Sequence, residues 1–336
     1  MERQDSPSAQ AAEPGARHVR ILLGTWNGAA HLPRQLDSFL AQDHADWSLV
    51  IRDDGSTDAT PACIAAFRDA HPGRAVTLLP AGTPPPGTAP RGAAANFLRL
   101  LAHAATLPPA LTAFSDQDDA WLPHKLARAL AVLGPDAGPD APPAVYASRS
   151  IHADAELRPR GPSTLHPRPP DFANALVQNV LGGNTIVLNP AATRLVAATC
   201  PAALAGDGVP FHDWWVYLVA TGAGARVVND PKPGLLYRQH GSNVLGAHAG
   251  MAGATARIGS VLGGTWRGWI DRNLAALAQV DHLLAPGPRA LFDAFTALRR
   301  DPSPRMRLAG LRRLGIHRQT AASQALMLAL ALAGRL

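Results

Sequence analysis

The chain of 336 residues is short of several residue types, and each shortage removes a class of function. Two cysteines, Cys63 and Cys200, make neither a disulfide framework nor a Cys-based zinc site. Such sparing use suits a reducing compartment, and a cytoplasmic location is expected. Lysine occurs only at Lys125 and Lys232, so the net charge of +6 and the pI near 10.1 come from arginine. The arginines are scattered until about residue 299, without the basic stripe of a nucleic-acid reader, and no nucleic-acid partner is expected. Glutamate is confined to Glu2, Glu13 and Glu156, so carboxylate chemistry must fall to aspartate. No uninterrupted apolar run has the length of a membrane span. The opening MERQDSPSAQAAEPGAR has no apolar core, and no signal peptide is expected. Neither G-x-G-x-x-G after the first strand nor G-x-x-x-x-G-K-[ST] occurs, which removes dinucleotide and P-loop sites. H-E-x-x-H and G-x-S-x-G are missing too, which argues against zincins and serine hydrolases.

What is present is a core-forming chain, 47% apolar. Residues 1–17 read as a disordered lead. HVRILLGTW (18–26) is a buried strand, LPRQLDSFL (32–40) an amphipathic helix with Pro33 in its first turn, and WSLVIRDDGS (47–56) strand then turn. Thr60 is the candidate N-cap of a helix carrying Ile64 and Phe67. AVTLLP (75–80) and ALTAFSD (110–116) are further strands, with a helix over 96–104 between them and another opened by Pro123. After residue 134 come a strand at 144–150, a short strand in TIVLN, a Gly-stopped helix over 212–224 and two late strands, RVVND and GLLYRQH. Beyond about 255 the pattern is helical. The alternation predicts an α/β domain with a mainly parallel sheet, whose ligands bind at the carboxyl ends of the strands. Three such ends carry polar clusters: Thr25-Trp26-Asn27, Arg52-Asp53-Asp54-Gly55-Ser56 and Asp116-Gln117-Asp118-Asp119.

The string SDQDDAWLP raises an electrostatic question, because Asp116, Asp118 and Asp119 repel one another unless they share something positive. Asp116 and Asp118, two apart on an extended strand end, point the same way and suit a divalent ion with oxygen ligands; a solvated acidic turn is the alternative. Asp119 is expected to cap the helix after Pro123. Asp213, in HDWW, is either a helix-N-terminal aspartate stabilised by the dipole or a general base in an apolar pocket walled by Trp214 or Trp215. His240, after LLYRQ, reads as a polar loop residue.

Taken together, Thr25-x-Asn27, RDDGSTD, SDQDD and HDWW resemble, over about residues 18–246, the family 2 glycosyltransferases, inverting enzymes of the GT-A fold. FSDQDDAWLPHKL, HDWWVYLVA and LLYRQHGSNVLGA resemble more narrowly the bacterial rhamnosyltransferase-like members, which build O-antigen and other surface polysaccharides. The resemblance implies a mainly parallel mixed sheet flanked by helices over 18–250 and a helical region over 251–336. It implies Thr25, Asn27, Asp54, Arg91, Asp116 and Gln117 on the nucleotide-sugar side. It further implies Asp118 as ligand of Mn²⁺ or Mg²⁺, His240 near the metal or diphosphate, and Asp213 as base. Gly183, Asn184 and Trp214 are implied at the acceptor. The implied partners are dTDP-rhamnose or a UDP-sugar, and a glycan or lipid-linked glycan. A nucleotidyltransferase, or a non-catalytic sugar- or lipid-binding protein on the same fold, is the alternative. For the Arg-dense stretch 299–318 and the apolar 321–334, packing on the domain competes with lying on the cytoplasmic face of the inner membrane.

Overall fold

The computed structural model describes residues 17–80, 92–138, 140–239 and 264–336; the expected lead lies outside them except for Arg17. One sheet organises the molecule. Strands β1 (Val19–Thr25), β2 (Trp47–Asp53), β3 (Val76–Leu79) and β4 (Leu111–Ser115) are parallel, in the order β3-β2-β1-β4. The sheet continues through β8 (Val187–Leu188), β6 (Ala144–Ala153), β9 (Arg226–Arg238) and β5 (Ala120–Trp121), with β7 (Pro159–Pro162) paired to β6. β8 runs antiparallel to both neighbours, β6 and β9 are parallel, and β5 is antiparallel at the edge. The architecture is α/β with a mixed, largely parallel sheet, as the alternation predicted.

Side-chain alternation along the strands splits the core into two layers. Leu22, Val50, Phe114 and Val145 face one cluster, and Ile21, Leu23, Leu49, Ile51 and Tyr146 face the other. The second layer is covered by α1 (Leu32–Leu40), α2 (Thr60–Ala70) and α4 (Lys125–Leu133), through Leu36, Phe39, Ile64, Phe67, Leu126 and Leu130. The first is covered by α3 (Ala93–Ala104), α5 (Phe172–Ala175), α6 (Pro190–Ala198), α7 (Cys200–Ala203) and α8 (His212–Gly222). The C-terminal helices α9 (Thr265–Ala278), α10 (Pro286–Arg300), α11 (Pro304–Arg313) and α12 (Ala321–Leu332) add Ile270, Phe292, Phe295, Leu311 and Met327 to that same cluster.

Three local expectations change. The two late strands are one, β9, whose register against β6 shifts around Ser148 and Arg149, opposite Pro231 and Pro233. Proline cannot donate to the ladder, so the strand passes it with a bulge instead of ending. Thr60 does not cap α2. Its hydroxyl donates to Asp58 and accepts from the Gly28 N–H at 2.8 Å, fastening the loop after β1. The helix expected from Pro123 begins at Lys125.

Phe295 is fully buried among these C-terminal contacts. Phe295→Ala is expected to cost about 3–5 kcal/mol in urea unfolding of the whole chain, through one cooperative transition. A separate early transition would contradict a shared core.

Candidate active site

Register places the strand ends side by side. Thr25 of β1 sits opposite Asp53 of β2, and Leu23 opposite Ser115 of β4. The adjacent aspartates after β2 do different work. Asp53 accepts from the Thr25 hydroxyl at 2.7 Å, the Ser56 hydroxyl at 2.6 Å and the Ser56 N–H at 2.7 Å, which closes the turn. Asp54 turns the other way, accepting from Arg52 Nη1 at 3.0 Å and from the Gly92 N–H at 3.1 Å at the start of α3. Asn27 adopts φ +45, a left-handed conformation that Asn tolerates, and its side-chain oxygen accepts from the Thr57 N–H at 2.8 Å. Between them Trp26 is 61% exposed. Gln117 bridges the strand ends with paired 2.8 Å amide bonds to the Trp26 N–H and carbonyl. A Cβ at Gly28 would lie 2.2 Å from the Gln117 carbonyl oxygen, so a larger residue there would push the amide off these bonds. The Gln117 amide is therefore spent on holding the edge together.

The acidic run is not a row of equivalent charges. Asp116 and Asp118 are half-buried, whereas Asp119 is fully buried. The expectation that Asp119 caps the following helix is corrected. One of its oxygens accepts from the Asn184 side-chain amide and the other from the Arg238 N–H at 3.1 Å. The cause is β5: Ala120 and Trp121 pair with Leu236 and Leu235 of β9, which draws the preceding residue inward. Beside it lies a residue that motif reasoning passed over. Lys125 is fully buried, its ammonium 3.7 Å above the Trp121 ring and bonded to the Asn184 carbonyl. Burial lowers the Lys125 pKa, opposed by Asp119 and Asp116. Burial raises that of Asp119, with the Asp118 charge adding to the rise. Asp116 is pushed well above the usual carboxylate range by burial, then by Asp119, Asp118 and Asp213, with Lys125 opposing. Arg238 adds a second cation, its guanidinium donating to the Asp118 and Ala155 carbonyls.

Asp213 opens α8 on the far side of this cluster. Its oxygens accept from the Gly183 N–H at 3.1 Å and the Trp214 N–H at 2.7 Å, and Asn179 donates as well. Burial raises its carboxyl to about 6 against those donors. The preceding His212 stacks on Phe97 with ring centroids 4.2 Å apart, and burial lowers it to about 3, so it is a neutral wall. The 3₁₀ turn Gly183–Thr185 joins the two halves: Gly183 holds Asp213, and Asn184 holds Asp119 and Lys125. A Cβ on Gly183 would lie 2.7 Å from His212 Nε2, which fixes glycine at that seam. Trp214, expected at the acceptor, is corrected to a core residue: it is 3% exposed and its indole donates to the Ala175 carbonyl at 2.7 Å. Trp215 is likewise in the core, bonded to Thr199. The structure thus gathers Thr25, Asn27, Asp54, Asp116, Gln117 and Asp118 at one edge, with Gly183, Asn184 and Asp213 beside them. Arg91 and His240 lie outside the described residues.

Among the described residues no three His, Cys, Asp or Glu side chains form a ready metal cage. Asp116 and Asp118 still offer hard oxygens where carboxylates outnumber cations. That suits Mg²⁺ or Mn²⁺ held by one or two carboxylates, with substrate phosphate and water completing the shell.

The buried cluster can be tested directly. Lys125→Met leaves the buried Asn184 carbonyl without its donor and removes the positive charge near Asp116 and Asp119, and is expected to cost about 1–3 kcal/mol in urea unfolding. Adding Asp119→Asn should recover part of that loss; additive losses would show that the two charges are not coupled.

Residues 21–138 match the family model described as Glycosyl transferase family 2. The dTDP-rhamnosyl transferase RfbG of Shigella flexneri is 26% identical over 267 residues, covering 76% of this chain and 84% of that protein. Among solved structures, mannosyltransferase PcManGT from Pyrobaculum calidifontis, in complex with GDP-Man and Mn²⁺, aligns with a TM-score of 0.50 at 20% identity, over 98% of this chain and 84% of that one. S. aureus TarS in complex with UDP-GlcNAc aligns with a TM-score of 0.51 at 14% identity, over 88% of this chain and 90% of that one. At these identities the two structures speak for the fold.

Proposed function

We propose that the chain is a glycosyltransferase of family 2, whose model matches residues 21–138, and that on its GT-A fold it carries out a metal-dependent, inverting transfer of a sugar from a nucleoside-diphosphate donor to a saccharide. Rhamnose is the favoured sugar, on the strength of the relative from Shigella flexneri, and a lipid-linked glycan of a surface polysaccharide the favoured acceptor. The observation that carries the reading is Asp213. It is a carboxylate raised by burial to about 6, held by the Gly183 and Trp214 N–H groups and facing the aspartate cluster.

Each group then has a task. Asp54, held in place by Arg52 and Gly92, presents its carboxylate at the end of β2, where the base of the nucleotide would bind. The exposed Trp26 ring offers that nucleotide a flat apolar surface. Asp118, with Asp116 beside it, would hold Mn²⁺ or Mg²⁺. When bound, such an ion neutralises charge developing on the departing diphosphate. Asp213 takes the proton of the acceptor hydroxyl as that oxygen attacks the anomeric carbon. Attack from the face opposite the leaving group inverts that carbon, and no bond to the protein forms. The raised pKa suits the role, since a base titrating near working pH accepts a proton more readily than an ordinary aspartate. The Cys200 thiol takes no part: it is buried and pushed up to about 12.

Asp213→Asn is expected to retain donor binding in calorimetry while transfer falls by about a hundredfold or more. Full turnover would remove Asp213 from the base position. The ionised form of Asp213 is the active one and its pKa is raised, so kcat should climb with pH through about 6 and fall below it. A flat profile between pH about 5 and about 7 would contradict the assignment. Asp118→Ala should weaken donor binding in the presence of Mn²⁺ and leave metal-free binding unchanged. Equal loss without metal would exclude the ligand role.

A further inference from the structure

The entire net charge of the protein resides in its last 35 residues. The chain holds 31 basic and 25 acidic residues, and segment 302–336 contains six arginines with no lysine, aspartate or glutamate. Residues 1–301 therefore carry 25 of each sign and are neutral.

The structure shows where these charges stand. On α11, Arg305, Met306, Ala309, Arg312 and Arg313 are all exposed. Their spacing at i, i+1, i+4, i+7 and i+8 puts them on one helical face. Met306, in the middle of that face, is 54% exposed. The opposite side is internal: Arg307 is buried and donates to the Ala331 carbonyl at 2.7 Å and the Asp301 carbonyl at 2.6 Å, locking α11 against the end of α12. On α12 the exposed residues are Ala321, Ala322, Ala325, Ala329 and Leu332, again one face, with no polar side chain among them. The other face sends Met327, Leu330 and Ala331 into the core. A helix on an ordinary protein surface turns charged residues to water, whereas this one is apolar on both sides. With 12 residues it is far shorter than the roughly 20 needed to cross a bilayer, and no described helix is long and apolar enough to do so.

We propose that α11 and α12 form a docking face for an anionic phospholipid surface, with the Ala/Leu side of α12 seated at the acyl boundary and Arg305, Arg312 and Arg313 on the phosphates. Charge selects this occupant. No carboxylate side chain interrupts the patch after Asp301, whose Oδ1 accepts from the Ser303 N–H at 2.8 Å. Asp271, on neighbouring α9, is paired with Arg299 at 2.7 Å. A second copy docked through the same face would bring like-charged arginines together. A lipid surface satisfies both faces, phosphate for the arginines and hydrocarbon for the alanines and leucine. The face is also tied to the transfer site. Just before α12, Arg318 donates to the Val177 carbonyl at 2.7 Å, and the Gln319 N–H donates to Gln178 at 2.9 Å. Asn179, next in sequence, holds Asp213.

The test is co-sedimentation of the full chain with phosphatidylcholine vesicles, with and without phosphatidylglycerol, in the absence of donor and metal. Because no sugar transfer is read, its outcome is separate from that of the transferase assays. Binding is expected only to the phosphatidylglycerol vesicles, weakening as salt rises. The triple variant R305A/R312A/R313A should lose about a hundredfold in vesicle affinity, from roughly fivefold per arginine. Leu332→Asp should likewise reduce binding, with both variants keeping the parental melting temperature. Three results would each overturn the proposal: no binding by the parent chain, equal binding to both vesicle types, or a dimer in sedimentation that Leu332→Asp disperses.

Discussion

The site depends on one buried contact set: Lys125 on the Asn184 carbonyl, and the Asn184 amide on Asp119. Crowded carboxylates within SDQDD need positive charge, and the fold supplies part of it from its own chain. Taking an ammonium and a carboxylate out of water costs several kcal/mol each, and hydrogen bonds to both groups offset part of that. Such bonds are present. Asp119 also accepts from the Arg238 N–H, and Lys125 rests on the Trp121 ring. What this costly arrangement fixes is position. Asn184 belongs to the turn whose Gly183 holds Asp213, so the aspartate edge and the raised carboxyl are spaced by one short 3₁₀ turn.

Lys125 meets only part of the demand. Asp116 remains well above the ordinary carboxylate range, raised first by burial and then by Asp119, Asp118 and Asp213. A diphosphate arriving alone would add negative charge to that edge, whereas one arriving with a divalent ion would relieve it. On the proposed reading the neutralisation is divided between Lys125, whose pKa burial lowers to about 7, and a divalent cation that would come with the donor.

Much of this was legible in the sequence where the signal is local. The period of LPRQLDSFL marks α1, and three polar strand ends converge once the strands are parallel. The signal fails where partners are remote. Asp119 looks like a helix cap because Pro123 follows. Its true partners are Asn184, 65 residues on, and Arg238, 119 residues on, reached only through the pairing of β5 with β9. Lys125 stands out as one of two lysines in an arginine-rich chain, yet nothing nearby says that it points inward. Trp214 failed for a geometric reason. Successive residues on a helix diverge by roughly 100°, so a side chain next to Asp213 does not share its direction. α8 is apolar nearly all round, and both tryptophans turn into the core.

The same spacing would constrain the proposed reaction. An inverting displacement needs the accepting base and the leaving group on opposite faces of the sugar, at a separation that holds through the transition state. Here Asp213, the proposed base, accepts from the Gly183 N–H, while Asn184 beside it holds Asp119 and Lys125, so both anchors lie on two adjacent residues of one turn. A backbone shift in this turn would reach both anchors. Gly183 resists local rearrangement as well, since His212 leaves no room for a side chain there and is itself stacked on Phe97. Adjustment to the proposed donor would therefore fall to the rotamers of Asp116 and Asp118, which are half-buried.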